Sequence, residues 1–219
     1  MRGRPRSLVD EPTTTLTDYA ISIAATACAV LILNRRDNTQ LVTLLIASAF
    51  VSVALGAALG GTSHGFSAQL AQRHARLVWA TSLLCAQAAS LLLAYAALIA
   101  RMPGAAASIA ALLLAIKTAL FTARIVRSRR FADVAYDAAL SLGVVALVEA
   151  GAWLRGPAAS APGMLAAVAV TAAGVIVQRS GRGLPTSWLR GHFNHNNLMH
   201  IAQLLATWLF YRGALELPG

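Results

Sequence analysis

The chain has 219 residues, 58% of them apolar and only 12% charged, and its formal net charge is +10. Soluble domains are about 45–50% apolar and about 25% charged, so a water-exposed globule is excluded, as are disordered, collagen-like and disulfide-scaffold chains. Mean hydropathy is +0.64. This is the composition of a polytopic membrane protein. The fold class expected from it is all-α, a bundle of seven transmembrane helices.

A hydrocarbon core about 30 Å thick needs roughly 20 apolar residues per helix. Residues 1–15 read as a cytoplasmic tail, and 16–219 as a single seven-helix transmembrane domain. Asp10, Glu11 and Asp18 stand ahead of the first apolar run, which is no clean signal-peptide pattern, so that run is expected to stay as an uncleaved anchor. The spans predicted in chain order are 16–34, 40–62, 77–100, 104–124, 131–154, 160–178 and 195–215. Lys117 and Arg124 interrupt the fourth. Turn-forming stretches such as Asn34–Asn38, Met102–Gly104 and Arg155–Pro157 separate the spans. Cys28 and Cys85 lie inside apolar runs and read as small buried residues. No internal repeat supports an inverted-repeat transporter.

Orientation follows from the basic residues. Arg2, Arg4, Arg6, Arg73, Arg76, Arg124, Arg127, Arg129, Arg130, Arg179, Arg182 and Arg190 fall on one side of this topology. Arg35, Arg36, Arg101, Arg155 and Arg212 fall on the other. The bias places the N-terminus inside and the C-terminus outside. The arginines lie between apolar runs, so they serve topology and anionic lipid headgroups; nucleic acid is not an expected partner. An Ala- and Arg-rich chain whose one lysine is Lys117 suggests a GC-rich bacterium and its inner membrane.

The ionisable residues inside the spans converge on the cytoplasmic side. Asp18 opens helix 1, and Ser63 and His64 close helix 2. Asp133 and Asp137 open helix 5, and His192, His195, Asn196, Asn197 and His200 precede or enter helix 7. Gly56, Gly60 and His64 repeat every four residues, so a neighbouring helix can approach closely where His64 is delivered. Asn196, His200 and Gln203 share a helix face. His195, five residues before His200, points elsewhere unless the helix begins at Asn196 or Asn197. Asn194, Asn196 or Asn197 also suits a helix N-cap. Asp18 suits a cap or a functional carboxylate equally. Asp133 and Asp137 suit a salt-bridged helix start, facing Arg129 and Arg130, and Lys117 is an available partner for Glu149.

Seven spans, a histidine closing helix 2 and histidines opening helix 7 resemble the CREST superfamily of membrane hydrolases, which includes the alkaline ceramidases and the progestin and adiponectin receptors. That resemblance implies a zinc ion held by a helix 2 histidine and an HxxxH pair on helix 7, and hydrolysis of a lipid amide. His64 matches the helix 2 ligand and His200 the second helix 7 ligand. Asn196 stands where the first of the pair is expected, beside His195. Gly60 occupies the family's serine position, with Ser63 nearby, and Leu77–Ala100 lacks the helix 3 carboxylate. The stretch HFNHNNLMHIAQ is also similar to bacterial multi-pass membrane proteins without an assigned mechanism.

The function expected from these residues is zinc-dependent hydrolysis of a lipid or amphiphile near the cytoplasmic leaflet. His64, His195 and His200 are the expected zinc ligands. Asp18 is expected to orient the attacking water, and Ser63 and Asn196 to stabilise a developing oxyanion. Two other classes remain open: a proton-coupled carrier using the Asp/His cluster, and a non-catalytic membrane subunit or sensor.

Overall fold

A computed structural model describes residues 9–35, 40–102, 104–181 and 194–218. The arginines at 2, 4, 6, 36, 182 and 190, together with His192, lie outside them. The described chain is all helical: α1 (Pro12–Arg35), α2 (Leu41–Phe66), α3 (Gln72–Arg101), α4 (Gly104–Ser128), α5 (Phe131–Arg155), α6 (Ala161–Ser180) and α7 (His195–Leu215). Each coincides with one expected span, although α2 and α6 begin one residue later than expected. Six of them, α1 to α6, are long and apolar enough to cross a membrane. The seventh, α7, has 21 residues but opens on the polar sequence His195-Asn196-Asn197.

The helix ends follow local chemistry. Asn194 caps α7, its side chain accepting from the backbone N–H groups of Asn196 and Asn197. This satisfies two of the free donors at a helix start. Gly181 ends α6 in the left-handed conformation with φ 64°, where a side chain would be strained.

Six helices form a closed ring in the order α1, α2, α3, α5, α6, α7, with α7 returning to α1. The remaining helix, α4, packs outside the ring against α3 and α5. Its only buried residues are Leu114 and Ile125, while Ile109, Leu112, Leu113 and Leu120 are more than half exposed. Such a face suits lipid, where apolar side chains need no cover from protein. Close approach within the ring depends on small residues. A Cβ on Gly163 would stand 2.8 Å from the backbone nitrogen of Gly213, so α6 and α7 cross backbone to backbone there.

Ile32, Ile46, Phe50, Leu93, Leu98, Val145, Met164 and Phe210 belong to the main apolar core. This core fills the half of the ring away from the α1, α3 and α7 N-termini. Buried charges are paired. Arg101 on α3 donates to Ser160 and faces Glu149 on α5 at 3.4 Å, and the Ser160 hydroxyl donates to Glu149. Lys117 lies 2.7 Å from Asp137 Oδ1 and also donates to Ser141 Oγ at 2.7 Å. Glu149 therefore takes Arg101 rather than Lys117, because Lys117 meets α5 three turns nearer the other end. Asp133 accepts from Arg124 at 2.8 Å and from Ser128, so Arg124 takes the hydrogen-bonding place expected for Arg129 and Arg130.

Candidate functional site

A cavity of about 360 Å³ opens inside the ring, walled by all six ring helices. Its volume lies within the range of small-molecule sites, roughly 300–1,000 Å³. It runs from Asn196 to Phe210 along α7, a distance of about 21 Å at a helical rise of 1.5 Å per residue. One end is polar, with Asp18, His64, Gln178, Asn196, His200 and Gln203 on its wall. The other is apolar, with Phe50, Leu93, Leu142 and Phe210. The polar end is where α1, α3, α5 and α7 begin and where α2 and α6 finish. The expected convergence on one end of the bundle is therefore present for Asp18, His64, Asn196 and His200.

Small residues on α2 allow this approach. A Cβ on Gly61 would stand 3.0 Å from Asp18 Cβ, and one on Gly60 would stand 3.5 Å from Asp18 Oδ2 and 3.4 Å from Ser82 Oγ. The absent side chains let α1 bring Asp18 beside α2. Ser82 of α3 meanwhile donates to the Gly56 carbonyl at 2.8 Å. The glycine face read from the sequence is thus the surface on which α1 and α3 dock.

His200 is almost fully buried, and its two ring nitrogens have different surroundings. Nδ1 is hydrogen bonded to Thr17 Oγ1 at 2.8 Å. Nε2 faces Asp18 Oδ1 at 3.4 Å, longer than an ordinary hydrogen bond. Asp18 Oδ2 is buried and has no hydrogen-bond partner. A buried carboxylate oxygen without a donor is costly. His64 lies beside His200, with ring centroids 6.4 Å apart and the ring planes inclined at 66°. Its Nδ1 faces Glu11 at 3.4 Å, and its edge meets Trp79 at 6.0 Å. The Trp79 Nε1 donates to the Arg129 carbonyl at 2.9 Å, fixing the indole against the α4–α5 link.

Two expected site residues stand elsewhere. His195 is the first residue of α7, with Asn194 as its cap. The helix is regular from His195 onward, so five residues turn it well away from His200, and it is not part of the cavity wall. Ser63 precedes His64 by one residue, about 100° around α2, and is also absent from the wall. Conversely, Thr17, Glu11, Trp79, Ser82, Gln178 and Gln203 join the site or its supports. Only Gln203 carried a sequence signal, through its spacing from His200.

Zinc suits imidazole and carboxylate donors. His64, His200 and Asp18 supply two imidazoles and a carboxylate with an unpartnered oxygen, so the donor chemistry fits. As they stand, no group of three or more His, Cys, Asp or Glu among the described residues is arranged to hold a metal ion. Asp18 and His200 are in contact, and the His64 ring centroid stands 6.4 Å from that of His200.

These features define a multi-pass helical membrane protein with an internal cavity that is polar at one end and apolar along its depth. The chain belongs to DUF6962, a family of unknown function whose model matches residues 13–218. No curated protein and no solved structure matches it.

Proposed function

We propose that this protein is a zinc-dependent intramembrane hydrolase of a lipid or other amphiphile. On this reading all seven helices cross the cell inner membrane, with the N-terminus in the cytoplasm and the site at the cytoplasmic leaflet. One observation carries the reading: Asp18, one of whose carboxylate oxygens has no hydrogen-bond partner, stands with His64 and His200 on the wall at the polar end of a long cavity. His64, His200 and Asp18 would hold the ion. Asp18 thereby takes the ligand place first given to His195. Zinc, when bound, lowers the pKa of a coordinated water towards about 7 and polarises a carbonyl.

The chain's own residues supply the rest. Phe50, Leu93, Leu142 and Phe210 accept an apolar chain and exclude water, which strengthens every polar contact at the other end. Asn196, on the cavity wall, is positioned to donate to a developing oxyanion. A proton-coupled carrier draws less support. Asp133 and Asp137, two of its relay groups, are bound to Arg124 and Lys117 and are not on the cavity wall.

The test is elemental analysis of detergent-purified protein. About one zinc per chain is expected, lost in His64→Ala and His200→Ala. A folded wild-type chain that takes up no zinc when the metal is supplied overturns the reading.

A further inference from the structure

Thr17 is a residue with no evident role in the sequence, one place before a carboxylate on the first turns of a helix. In the structure its hydroxyl oxygen is within 2.8 Å of His200 Nδ1, on a helix that lies 183 positions further along the chain. A threonine hydroxyl has one proton and two lone pairs. Here the oxygen also lies 2.9 Å from the carbonyl of Thr14 and 3.1 Å from that of Thr13. Both carbonyls can only accept. Donation to one of them is a common arrangement for a helical threonine, and it leaves the hydroxyl oxygen as the acceptor towards Nδ1. In that arrangement the proton between Thr17 and His200 belongs to the imidazole, whereas the opposite tautomer would have the hydroxyl donate to Nδ1.

The other ring nitrogen is consistent with this. Nε2 stands 3.4 Å from Asp18 Oδ1 and makes no hydrogen bond to it, while Asp18 Oδ2 has no partner. A bare Nε2 lone pair would stand off from the carboxylate.

We propose that Thr17 is a positioning residue that fixes His200 in the Nδ1–H tautomer and so presents the Nε2 lone pair beside Asp18 to the cavity. The arrangement makes α1 the organiser of the site. Thr17 orients the imidazole from α7, and its neighbour Asp18, about 100° further round the helix, contributes the carboxylate. Second-shell donors and acceptors of this kind set both ring angle and tautomer of a metal-binding histidine. The use of that lone pair for zinc rests on the function proposed above. The tautomer itself does not.

The experiment uses the full chain in detergent, with ¹⁵N-labelled histidine and metal removed by a chelator. The His200 signals are assigned by their loss in His200→Gln. Nitrogen shifts then report which ring atom bears the proton. Wild type and Thr17→Ser are expected to show Nδ1–H, because both keep the hydroxyl. Thr17→Val, of nearly the same shape, is expected to lose that preference. Its zinc affinity should fall about 10–100-fold, the usual scale for second-shell changes, with Thr17→Ser close to wild type. An Nε2–H tautomer in wild type overturns the proposal, and this measurement needs no folded variant at residue 17. An unchanged tautomer in Thr17→Val overturns it too. If wild-type protein binds no zinc, the hydrolase reading fails while the tautomer still decides the role of Thr17.

Discussion

Lys117 of α4 reaches inward to Asp137 of α5, nitrogen to carboxylate oxygen at 2.7 Å, and so ties the one helix outside the ring to the ring itself. Asp137 is fully buried and the lysine side chain is 14% exposed. Gln87 of α3 donates to the same carboxylate oxygen at 3.2 Å, and accepts from Thr122 of α4 at 2.9 Å. Three helices therefore meet at one polar knot away from water. Removing one partner leaves the other as an uncompensated buried charge. Asp137→Ala is expected to destabilise the protein by about 3–5 kcal/mol, whereas the double replacement Lys117→Met, Asp137→Leu should be far milder. Unfolding in mixed micelles measures both. Equal losses in the single and double variants would show that the pair is not the cause.

Glycine contributes in two opposite ways along these helices. At Gly163 an added methyl would collide with the backbone of Gly213. Gly163→Ala should push α6 from α7 and cost about 1–3 kcal/mol. At Gly143, in the body of α5, a Cβ meets nothing within 4 Å. There Gly143→Ala should stabilise by about 0.5–1 kcal/mol, since alanine loses less backbone freedom in a helix. Thermal unfolding of the two variants side by side gives the comparison. A neutral Gly163→Ala would mean that α6 and α7 do not cross so closely.

The depth of the cavity can be separated from its polar end. Ala57 of α2 is on the wall between His64 and Phe50. A phenylalanine there fills the passage without touching the histidines. Ala57→Phe is expected to abolish co-purification of amphiphiles, read by native mass spectrometry, while zinc content stays at the wild-type level. Retention of the same bound molecules at the same occupancy would show that they sit elsewhere.

The helices were legible because lipid demands long apolar runs, and those runs are visible without knowing any contact. Asp18, His64, Asn196 and His200 were legible for a related reason: each is a polar residue at the edge of an apolar span, where polarity needs a purpose. Partners across helices were less accessible. Whether Lys117 meets Asp137 or Glu149 depends on how far α4 slides along α5, and neither helix records that offset alone. His195 depended on where α7 becomes regular, which the Asn194 cap decides by starting the helix one residue too early for His195 to turn back. Thr17 and Glu11 act through contacts made only when α1 lies against α7 and α2. Their types are so common at helix starts that nothing marks them out beforehand.

The ring closes where α7 returns to α1, and that closure has a consequence for biosynthesis. A growing chain that has not yet reached His195 already holds Asp18, His64 and much of the apolar wall. It lacks His200 and the helix that seals the cavity. The proposed site therefore cannot assemble until α7 has been made and has docked against α1.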